Sequence, residues 1–316
     1  MSDLSFSSFC GWLKFRHLTL IDTLGRTRNM HLAAEQMNLS QPAISKMLKE
    51  LESLLGFAVF ERLPRSMPPT ALGEHVVRYA KIALSDASLF VEQIISLREG
   101  GHGYLKVGGI FAATAVALPS AIVQIKQHWP LLSIEVVEQT SDHLMEMLEE
   151  KKLDLAVARF TNETQQHRYD FQALAPEPFK IVVNSRHPLC DTGPTPLEQL
   201  GQWPWILYPV GTPIRGRMEL AFAKAGIPTP KNTIDTISMQ TFLQVLQTGP
   251  MIAMLPESMV GPHIDSGLLR PLDTPLYLAP QDYGILTRKG EQLSGAALEF
   301  AEILLENAKL DREKNT

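Results

Sequence analysis

The sequence predicts a multidomain protein. We expect a small all-α unit with a helix-turn-helix at the N-terminus, a long helix after it, and a larger α/β part built of two similar halves. Three observations predict this arrangement. Two short helical patterns lie close together between Met30 and Leu55, a heptad repeat of apolar residues runs from Leu72 to Arg98, and strand and helix patterns alternate from Leu105 onwards.

The first residues of the chain carry less information. Residues 1–13 show little pattern, and we expect a loose extension there. From Lys14 to Leu24 the apolar residues Phe15, Leu18 and Ile21 recur every three residues or so, which predicts one face of a helix. That face can pack under the helix-turn-helix.

The helix-turn-helix begins after Asn29, whose side chain can cap the first helix. Ser40 can cap the second helix, and Pro42 suits its first turn because the N–H that proline lacks has no helical partner there. Beside an apolar stripe, the second helix has a polar face that can read base edges or bind phosphates in a major groove. An ordinary helical hairpin inside a core is the alternative. The polar face contains Gln41, Ser45, Lys46 and Lys49.

A short strand, a turn and a return are predicted between Phe57 and Thr70. The turn carries Arg62, Arg65 and three prolines. A basic loop beside a recognition helix is typical of a wing that grips the DNA backbone. The wing therefore favours the DNA-binding interpretation over the hairpin alternative.

The stretch from Leu32 to Glu74 resembles the winged helix-turn-helix of LysR-type transcriptional regulators. The matching motifs are AA at 33–34, SQPAIS at 40–45, LE at 51–52, LG at 55–56, VFER at 59–62 and TALG at 70–73. Two departures are Asn29, where the family usually has serine, and the Pro68 and Pro69 pair in the wing. The resemblance implies a sequence-specific regulator that binds double-stranded DNA and a small effector. The implied DNA contacts are Gln41, Pro42, Ser45, Lys46, Lys49, Arg62, Arg65 and Thr70.

Apolar residues of the long helix alternate at spacings of four and three, which is a heptad seam and predicts pairing of two helices. Packing of this helix on its own domain is the alternative. In the family it is the linker helix, and the resemblance implies a homodimer that associates further into a homotetramer. RNA polymerase is a further candidate partner. The predicted dimerisation residues are Val76, Ala80, Ala83, Ala87, Phe90 and Ile94.

The rest of the chain alternates strands and helices in two series, which predicts βαβ units on parallel sheets. A strand at 285–288 and a helix at 295–310 are expected to return to the first half. This pattern resembles periplasmic binding proteins and the effector domain of LysR-type regulators. We expect a DNA-binding domain at 14–72, a linker helix at 73–99 and an α/β effector-binding domain at 104–310, with subdomain I at about 104–175 and 278–310 and subdomain II at about 176–277.

Ligands of open parallel sheets bind beyond the carboxyl ends of the strands, where helix N-termini point. Helix N-termini and Arg159 favour negative charge, so we expect a small anionic effector, a carboxylate or a sulfonate. The resemblance implies the same cleft between the two halves. The structural alternatives are Ser141 as a helix cap, Arg159 paired with a surface carboxylate, and Thr114 closing a turn. The predicted effector-binding residues are Ala113, Thr114, Thr140, Ser141, Arg159, Tyr208, Ser238 and Met239.

The sequence contains no G-x-S-x-G, H-E-x-x-H or P-loop motif, and no two histidines have i, i+4 spacing. We therefore expect no enzyme activity, no metal and no cofactor apart from the effector. No basic apolar leader opens the chain and no apolar run reaches about 18 residues, which favours a cytoplasmic protein without a membrane span. The net charge is −5, although residues 1–72 hold eight basic and six acidic residues. A solute-binding protein without a regulatory role is the alternative function.

Overall fold

The computed structural model describes residues 5–64, 66–191 and 193–314. The chain divides into two compact units. The N-terminal unit ends at Glu99, and the C-terminal unit comprises the residues from Gly100 onwards except 149–152. Among the described residues, no helix is both long and apolar enough to cross a lipid bilayer.

The N-terminal unit is helical around one hydrophobic core. Leu20, Ile44 and Leu48 are fully buried in this core, which joins three consecutive helices to the start of the long helix. The two helices predicted for the helix-turn-helix are confirmed as α3 and α4. The helices are α1 (Phe6–Trp12), α2 (Phe15–Thr27), α3 (Met30–Gln36), α4 (Gln41–Leu55) and α5 (Ala71–Arg98).

Side chains cap both helices of the helix-turn-helix, as predicted. Asn29 Oδ1 accepts hydrogen bonds from the N–H groups of His31 at 2.9 Å and Leu32 at 3.2 Å. Ser40 Oγ accepts one from the N–H of Ala43 at 3.4 Å. Each cap satisfies donors that the first turn of a helix leaves free. The starts of α3 and α4 are therefore fixed by local sequence.

The loose extension expected at the N-terminus is wrong for Phe6–Trp12, which forms α1. The ring of Trp12 stacks on that of His17 with centroids 4.5 Å apart, and Phe9 meets Tyr79 edge-on at 5.9 Å. A helix of seven residues is too short to be stable by itself. Aromatic contacts therefore hold α1, and so short a segment shows no clear helical period in the sequence.

The N-terminal half of the seam predicted on α5 is partly covered by its own unit. Val76, Ala80 and Ala83 pack into the core of their own unit, where Ala80 is fully buried. Helix α2 contacts α5 there. A heptad pattern indicates that a helix face is covered, but it does not indicate which chain covers it. Ala80 is therefore unavailable for a contact with a second helix, whereas Val76 and Ala83 keep some accessible surface and their part in a dimer stays a prediction.

The C-terminal half of α5 differs, because its apolar residues remain accessible. Phe90 is 63% exposed and Ile94 is 48% exposed, while Ala87 is half-buried. Val91 and Ile95 beside them are exposed as well. This half of the helix keeps an apolar surface that the described residues leave open.

The C-terminal unit contains strands β1 (Tyr104–Gly109), β2 (Ser133–Glu138), β3 (Leu155–Ala158), β4 (Tyr169–Glu177), β5 (Phe179–Asn184), β6 (Trp205–Leu207), β7 (Thr233–Asp235), β8 (Ile252–Pro256), β9 (Leu269–Pro271) and β10 (Gln281–Arg288). Its α-helices are α6 (Leu118–His128), α7 (Ser141–Glu149), α8 (Leu197–Leu200), α9 (Pro213–Lys224), α10 (Met239–Thr248), α11 (Glu257–Asp265) and α12 (Gly295–Lys314). A π-helical segment, Ala113–Ala117, precedes α6.

The strands form two sheets, ordered β2–β1–β3–β10–β4 and β7–β6–β8–β5–β9. Strand β1 is parallel to β2 and β3, and β6 is parallel to β7 and β8. The first sheet also contains β10, and the second contains β5; each of these strands follows a crossover of the chain from the other sheet. Both strands run antiparallel to their neighbours. The two-halved α/β architecture and the return of the chain to the first half are confirmed. The parallel βαβ units are present in each sheet, and the antiparallel direction of β5 and β10 was not predicted.

Each sheet has its own hydrophobic core. The first contains Leu105, Val157 and Phe300, and the second contains Trp205 and Phe242, all fully buried. Strands β4 and β9 were not predicted from the sequence. The chain crosses from β4 to β5 at Pro178 and returns between β9 and β10. Both connections run beside the strand ends where a ligand is expected.

Candidate functional site

The recognition helix α4 presents a polar face opposite its apolar stripe. Ile44, Leu48 and Leu51 are buried against the core. The side chain of Lys46 is 80% exposed, and its Nζ lies 4.0 Å from Glu50 Oε1. The predicted DNA-contacting residues of this helix are all accessible: Gln41, Pro42, Lys46 and Lys49 are exposed, and Ser45 is half-buried.

Glu52, near the end of α4, fixes the start of the wing. One carboxylate oxygen accepts hydrogen bonds from the N–H groups of Val59 at 2.9 Å and Phe60 at 3.3 Å. The other oxygen lies 3.9 Å from Nη2 of Arg62, whose side chain is 58% exposed. The wing is therefore tied directly to the recognition helix, and Arg62 stays accessible.

The wing itself is a short antiparallel hairpin. Phe60 bridges Pro69, and Leu63 bridges Ser66 near the tip. Arg65, which the sequence predicts as a backbone contact, lies outside the described residues. The wing predicted from the sequence is thus present, and its described basic residue is Arg62.

Thr70 has a structural role, and the DNA contact expected for it stays a prediction. Its hydroxyl donates a hydrogen bond to the Ala58 carbonyl at 2.8 Å and accepts one from the Gly73 N–H at 2.9 Å, which caps α5. A β-carbon on Gly73 would lie 1.9 Å from the Val59 carbonyl oxygen. The Thr70 and Gly73 motif therefore brings the start of α5 against the wing backbone, and the hydroxyl proton is already used.

A cavity of about 120 Å³ lies in the C-terminal unit, and residues of both sheets line it. Helices α7, α9 and α10 begin beside it, since Ser141, Pro213 and Met239 are both their first residues and part of the wall. The cavity therefore lies beyond the carboxyl ends of the strands, where a ligand of such sheets is expected to bind. The predicted effector-binding residues that line it are Thr140, Ser141, Arg159, Tyr208 and Met239.

Three predicted effector-binding residues do not line the cavity. Ala113 is fully buried, because the π-helical segment begins there and turns its side chain into the core. The Thr114 hydroxyl lies within hydrogen-bonding distance of the Phe111 carbonyl and the Glu138 carboxylate, which share its single proton. Ser238 caps α10 by accepting a hydrogen bond from the Thr241 N–H at 3.2 Å. The hydroxyl groups of Thr114 and Ser238 therefore bind neighbouring groups of the protein.

Several residues of the cavity wall were not predicted from the sequence. Glu177 ends β4. Because this strand was not predicted, Glu177 was not recognised as a residue at the end of a strand. Arg217 lies one turn into α9, and its place just after a predicted helix start could have identified it. Aromatic, amide and acidic side chains are among the other missed residues: Phe160, Phe179, Gln139, Gln281 and Glu138.

Arg159 and Glu177 form a buried ion pair in the wall of the cavity. Their side chains are only 12% and 3% exposed. The alternative that Arg159 pairs with a surface carboxylate is therefore half correct, because it has a carboxylate partner but a buried one. Ser141 Oγ accepts a hydrogen bond from the Arg159 backbone N–H at 3.3 Å, which links the start of α7 to the end of β3.

Burial changes the acidity of the groups around the cavity. Burial, and secondly the charge of Arg217, lowers the pKa of Arg159 to about 10. Burial also lowers the pKa of Arg217 and raises the pKa of the Tyr208 hydroxyl. At neutral pH both arginines remain protonated and Tyr208 remains an uncharged phenol. The wall therefore carries two cations and two carboxylates, those of Glu138 and Glu177.

Together the two units define a class of protein, a transcriptional regulator that joins a winged helix-turn-helix to a two-lobed ligand-binding unit. Comparison with known families gives the same result. Residues 15–74 match the bacterial regulatory helix-turn-helix protein, lysR family, and residues 98–309 match the LysR substrate binding domain. The chain belongs to the LysR family of transcriptional regulators.

Individual relatives agree with this assignment. The chain is 30% identical to the HTH-type transcriptional regulator GbpR of Azospirillum brasilense over 286 residues, which cover 90% of this chain and 84% of GbpR. Full-length CbnR complexed with its target DNA has a similar fold, with a TM-score of 0.63 and 19% identity over 94% of this chain and all of CbnR. The CcmR regulatory domain of Synechocystis PCC6803 in complex with 2-PG gives a TM-score of 0.58 and 17% identity over 65% of this chain and 97% of that domain.

The family assignment decides between the functions considered from the sequence. A solute-binding protein without a regulatory role is not supported, because the helix-turn-helix match accounts for the N-terminal unit. GbpR is named as a transcriptional regulator, which is consistent with the expectation of no enzyme activity. The protein is a DNA-binding transcriptional regulator with an effector-binding domain.

Proposed function

We propose that this regulator binds a small anion, a carboxylate or a sulfonate, in the cavity of its effector domain. The observation that carries the proposal is the presence of Arg159 and Arg217 on the wall of a cavity that both sheets line. Bound anion then changes how an oligomer of the protein holds DNA in the cytoplasm.

Two further features support an anionic ligand. The N-termini of α7, α9 and α10 adjoin the cavity, and a helix N-terminus carries partial positive charge and free N–H groups. Arg217 donates one hydrogen bond to the Ala279 carbonyl at 2.5 Å, so other N–H groups of its guanidinium can serve a ligand. The complex of the CcmR regulatory domain with 2-PG supports a small ligand in this fold.

The position of the cavity suggests how binding is transmitted. One ligand that touches both sheets changes the angle between the two halves of the effector domain. In our proposal this change reaches the linker helices through contacts between subunits and alters the spacing of the DNA-binding domains. The ligand must bind one of the two states more tightly than the other, because equal affinity would shift nothing.

The first experiment is thermal melting of the full-length protein against small carboxylates and sulfonates, both plain and hydroxylated. A ligand at 100 times its Kd adds about 2.7 kcal/mol of stability. We expect Arg217→Gln to abolish the shift and Arg186→Gln, at an exposed arginine outside the cavity, to retain it. Absence of any shift, or a shift that Arg217→Gln leaves intact, would refute anion binding without affecting the assignment to the family.

For DNA, we propose that Gln41, Pro42 and Ser45 approach base edges in the major groove, whereas Lys46, Lys49 and Arg62 bind phosphates. The accessible face of α4 and the position of Arg62 on the wing support this division. We also propose a phosphate contact for Arg65, which lies outside the described residues. The complex of CbnR with its target DNA supports DNA binding by a protein of this fold.

Replacement of Gln41 and of Lys49 by alanine is expected to have different consequences for DNA binding. Gln41→Ala should cost about 1–3 kcal/mol on the operator and relax preference at one base position, because an amide can make two hydrogen bonds to a base edge. Lys49→Ala should weaken binding to all duplexes and reduce the slope of log K against log salt by about 0.9 for each phosphate that is no longer neutralised. Titrations of operator and random duplexes at several salt concentrations measure both effects.

The control for this comparison is Lys224→Ala, at an exposed lysine of α9 in the C-terminal unit. It should change neither the salt slope nor the base preference. If Lys49→Ala altered base preference alone and left the salt slope unchanged, the assignment of Lys49 to phosphate would be incorrect.

We propose a homodimer formed by the C-terminal halves of two α5 helices, with further association into a homotetramer. The exposed side chains of Phe90 and Ile94 support this pairing. Two recognition helices then read major grooves about 34 to 36 Å apart, so the operator should be partly palindromic. RNA polymerase is the proposed partner through which DNA binding changes transcription.

A further inference from the structure

Arg159 and Glu177, in the wall of the effector cavity, contain buried donors and a buried acceptor without hydrogen-bond partners among the described residues. Arg159 Nη2 is one of these donors, although it contacts Glu177 Oε2. Arg159 Nε, a donor, and Glu177 Oε1, an acceptor, make no hydrogen bond with any of the described residues. Their side chains are 12% and 3% exposed. Buried polar atoms of native proteins nearly always have a partner. Both atoms belong to residues that line the cavity, so a ligand that enters between the two side chains can supply the missing partners.

The charges of the wall restrict the kind of anion that fits. Arg159 is in contact with Glu177, so a carboxylate that approaches Arg159 also approaches a buried negative charge. A ligand that carries only a carboxylate would leave Glu177 Oε1 without a donor and would add repulsion between like charges. The ligand must therefore bring a donor next to its negative group.

We infer that the effector is a hydroxylated carboxylate, of the class that comprises 2-hydroxy acids and sugar acids; this inference rests on the proposed function. The carboxylate accepts from Arg159 Nε, and the neighbouring hydroxyl donates to Glu177 Oε1. Since Arg159 and Glu177 are in contact, the acceptor and the donor of the ligand must be neighbours too. A hydroxyl on the carbon beside a carboxylate has this arrangement.

Other residues of the wall suit the rest of such a molecule. The Tyr208 hydroxyl makes no hydrogen bond with the described residues, and its raised pKa keeps it protonated, so it can both donate and accept. Gln139 is a further partner for hydroxyl groups. Phe111 and Phe179 supply apolar surface for the carbon skeleton. The volume of about 120 Å³ restricts the ligand to a small molecule.

The test is titration calorimetry of the full-length protein with matched probes. Gluconate, hexanoate and sorbitol all have six carbons. Gluconate carries a carboxylate and hydroxyls, hexanoate carries only the carboxylate, and sorbitol carries only hydroxyls. Glycerate, propionate and glycerol repeat the comparison for a smaller skeleton. We expect the hydroxy acid of at least one set to bind at least about tenfold tighter than its plain acid and its polyol, because a buried group left unpaired disfavours the analogue.

The variant Glu177→Gln tests the origin of the preference. It keeps the size of the side chain and removes the charge that repels a plain acid. The ratio of the affinity for the hydroxy acid to that for the plain acid should therefore fall to about threefold or less. The matched control is Glu257→Gln, which removes a carboxylate from an exposed ion pair with Lys180 outside the cavity. It should leave the ratio unchanged. Because the ratio is first measured in the unaltered protein, poor folding of Glu177→Gln would not prevent a decision.

Each outcome bears on the inference. Tighter binding of the hydroxy acid, with a ratio lowered by Glu177→Gln and not by Glu257→Gln, supports it. Equal binding of the plain acids overturns it while leaving the proposed anion site intact. Equal binding of the polyols overturns it and also removes the argument for an anion. Binding of neither hydroxy acid overturns it as well, and plain acids or sulfonates then remain as a separate test of the anion site.

Discussion

Replacement of Arg159 by alanine is expected to lower the free energy of unfolding of the C-terminal unit by about 3–5 kcal/mol, even in the absence of ligand. The variant leaves Glu177, whose side chain is only 3% exposed, as an uncompensated buried charge. Urea unfolding followed by tryptophan fluorescence measures the effect, because Trp129, Trp203 and Trp205 all lie in this unit.

The control replaces both partners. A double variant, Arg159→Met with Glu177→Leu, removes both charges and keeps similar volumes, so its stability should lie within about 1 kcal/mol of the unaltered protein or above it. Arg186→Ala, at an exposed arginine, should change stability by less than about 0.5 kcal/mol. If the double variant were as unstable as Arg159→Ala, the unpaired charge of Glu177 would not be the cause.

This prediction also affects how ligand binding should be tested. A ligand effect that disappears in Arg159→Ala could result from loss of structure as easily as from removal of a binding group. Arg217 is half-buried, and its hydrogen bond goes to the Ala279 carbonyl. Its replacement by glutamine therefore leaves no buried charge behind. Arg217→Gln is the clearer test of the anion site.

The sequence was most informative where local chemistry decides the structure. The caps at Asn29 and Ser40 and the apolar stripe of α4 specify the helix-turn-helix within about 25 residues of chain. The alternation of strands and helices likewise predicted the two α/β halves. Thr70 shows the limit of such motifs, because its hydroxyl caps α5 and bonds the Ala58 carbonyl, and the motif alone does not separate this structural role from a DNA contact.

The effector cavity was predictable in position but not in its balance of charge. Thr140, Ser141 and Arg159 were predicted as ligand contacts because they follow the carboxyl ends of strands, and all three line the cavity. Glu177 was not predicted in this way, because β4 became recognisable as a strand only through its pairing with β10. The partner of Arg159 therefore depends on contacts between residues distant in sequence. Without Glu177, the sequence suggested a plain anion site, whereas the pair indicates a ligand that also donates a hydrogen bond.

The second large effect is expected for the proposed dimer. Ile94→Glu should weaken dimerisation by at least about 100-fold, equivalent to about 2.7 kcal/mol. The C-terminal half of α5 exposes apolar residues, Phe90, Val91, Ile94, Ile95 and Leu97, and an exposed apolar patch of this kind marks an interaction surface. A glutamate in a two-fold seam faces apolar side chains and its own copy, so it is both desolvated and repelled.

Sedimentation analysis measures the change in dimerisation, and titration of a palindromic operator measures its consequence. Loss of the second recognition helix removes bivalent binding, which should weaken operator affinity by about 100-fold or more and shorten the footprint to one half-site. The matched control is Gln93→Glu, at an adjacent exposed position outside the heptad seam, which should remain dimeric. A dimer that tolerates Ile94→Glu as well as Gln93→Glu would place the subunit contact elsewhere. The apolar surface of α5 would then need another partner.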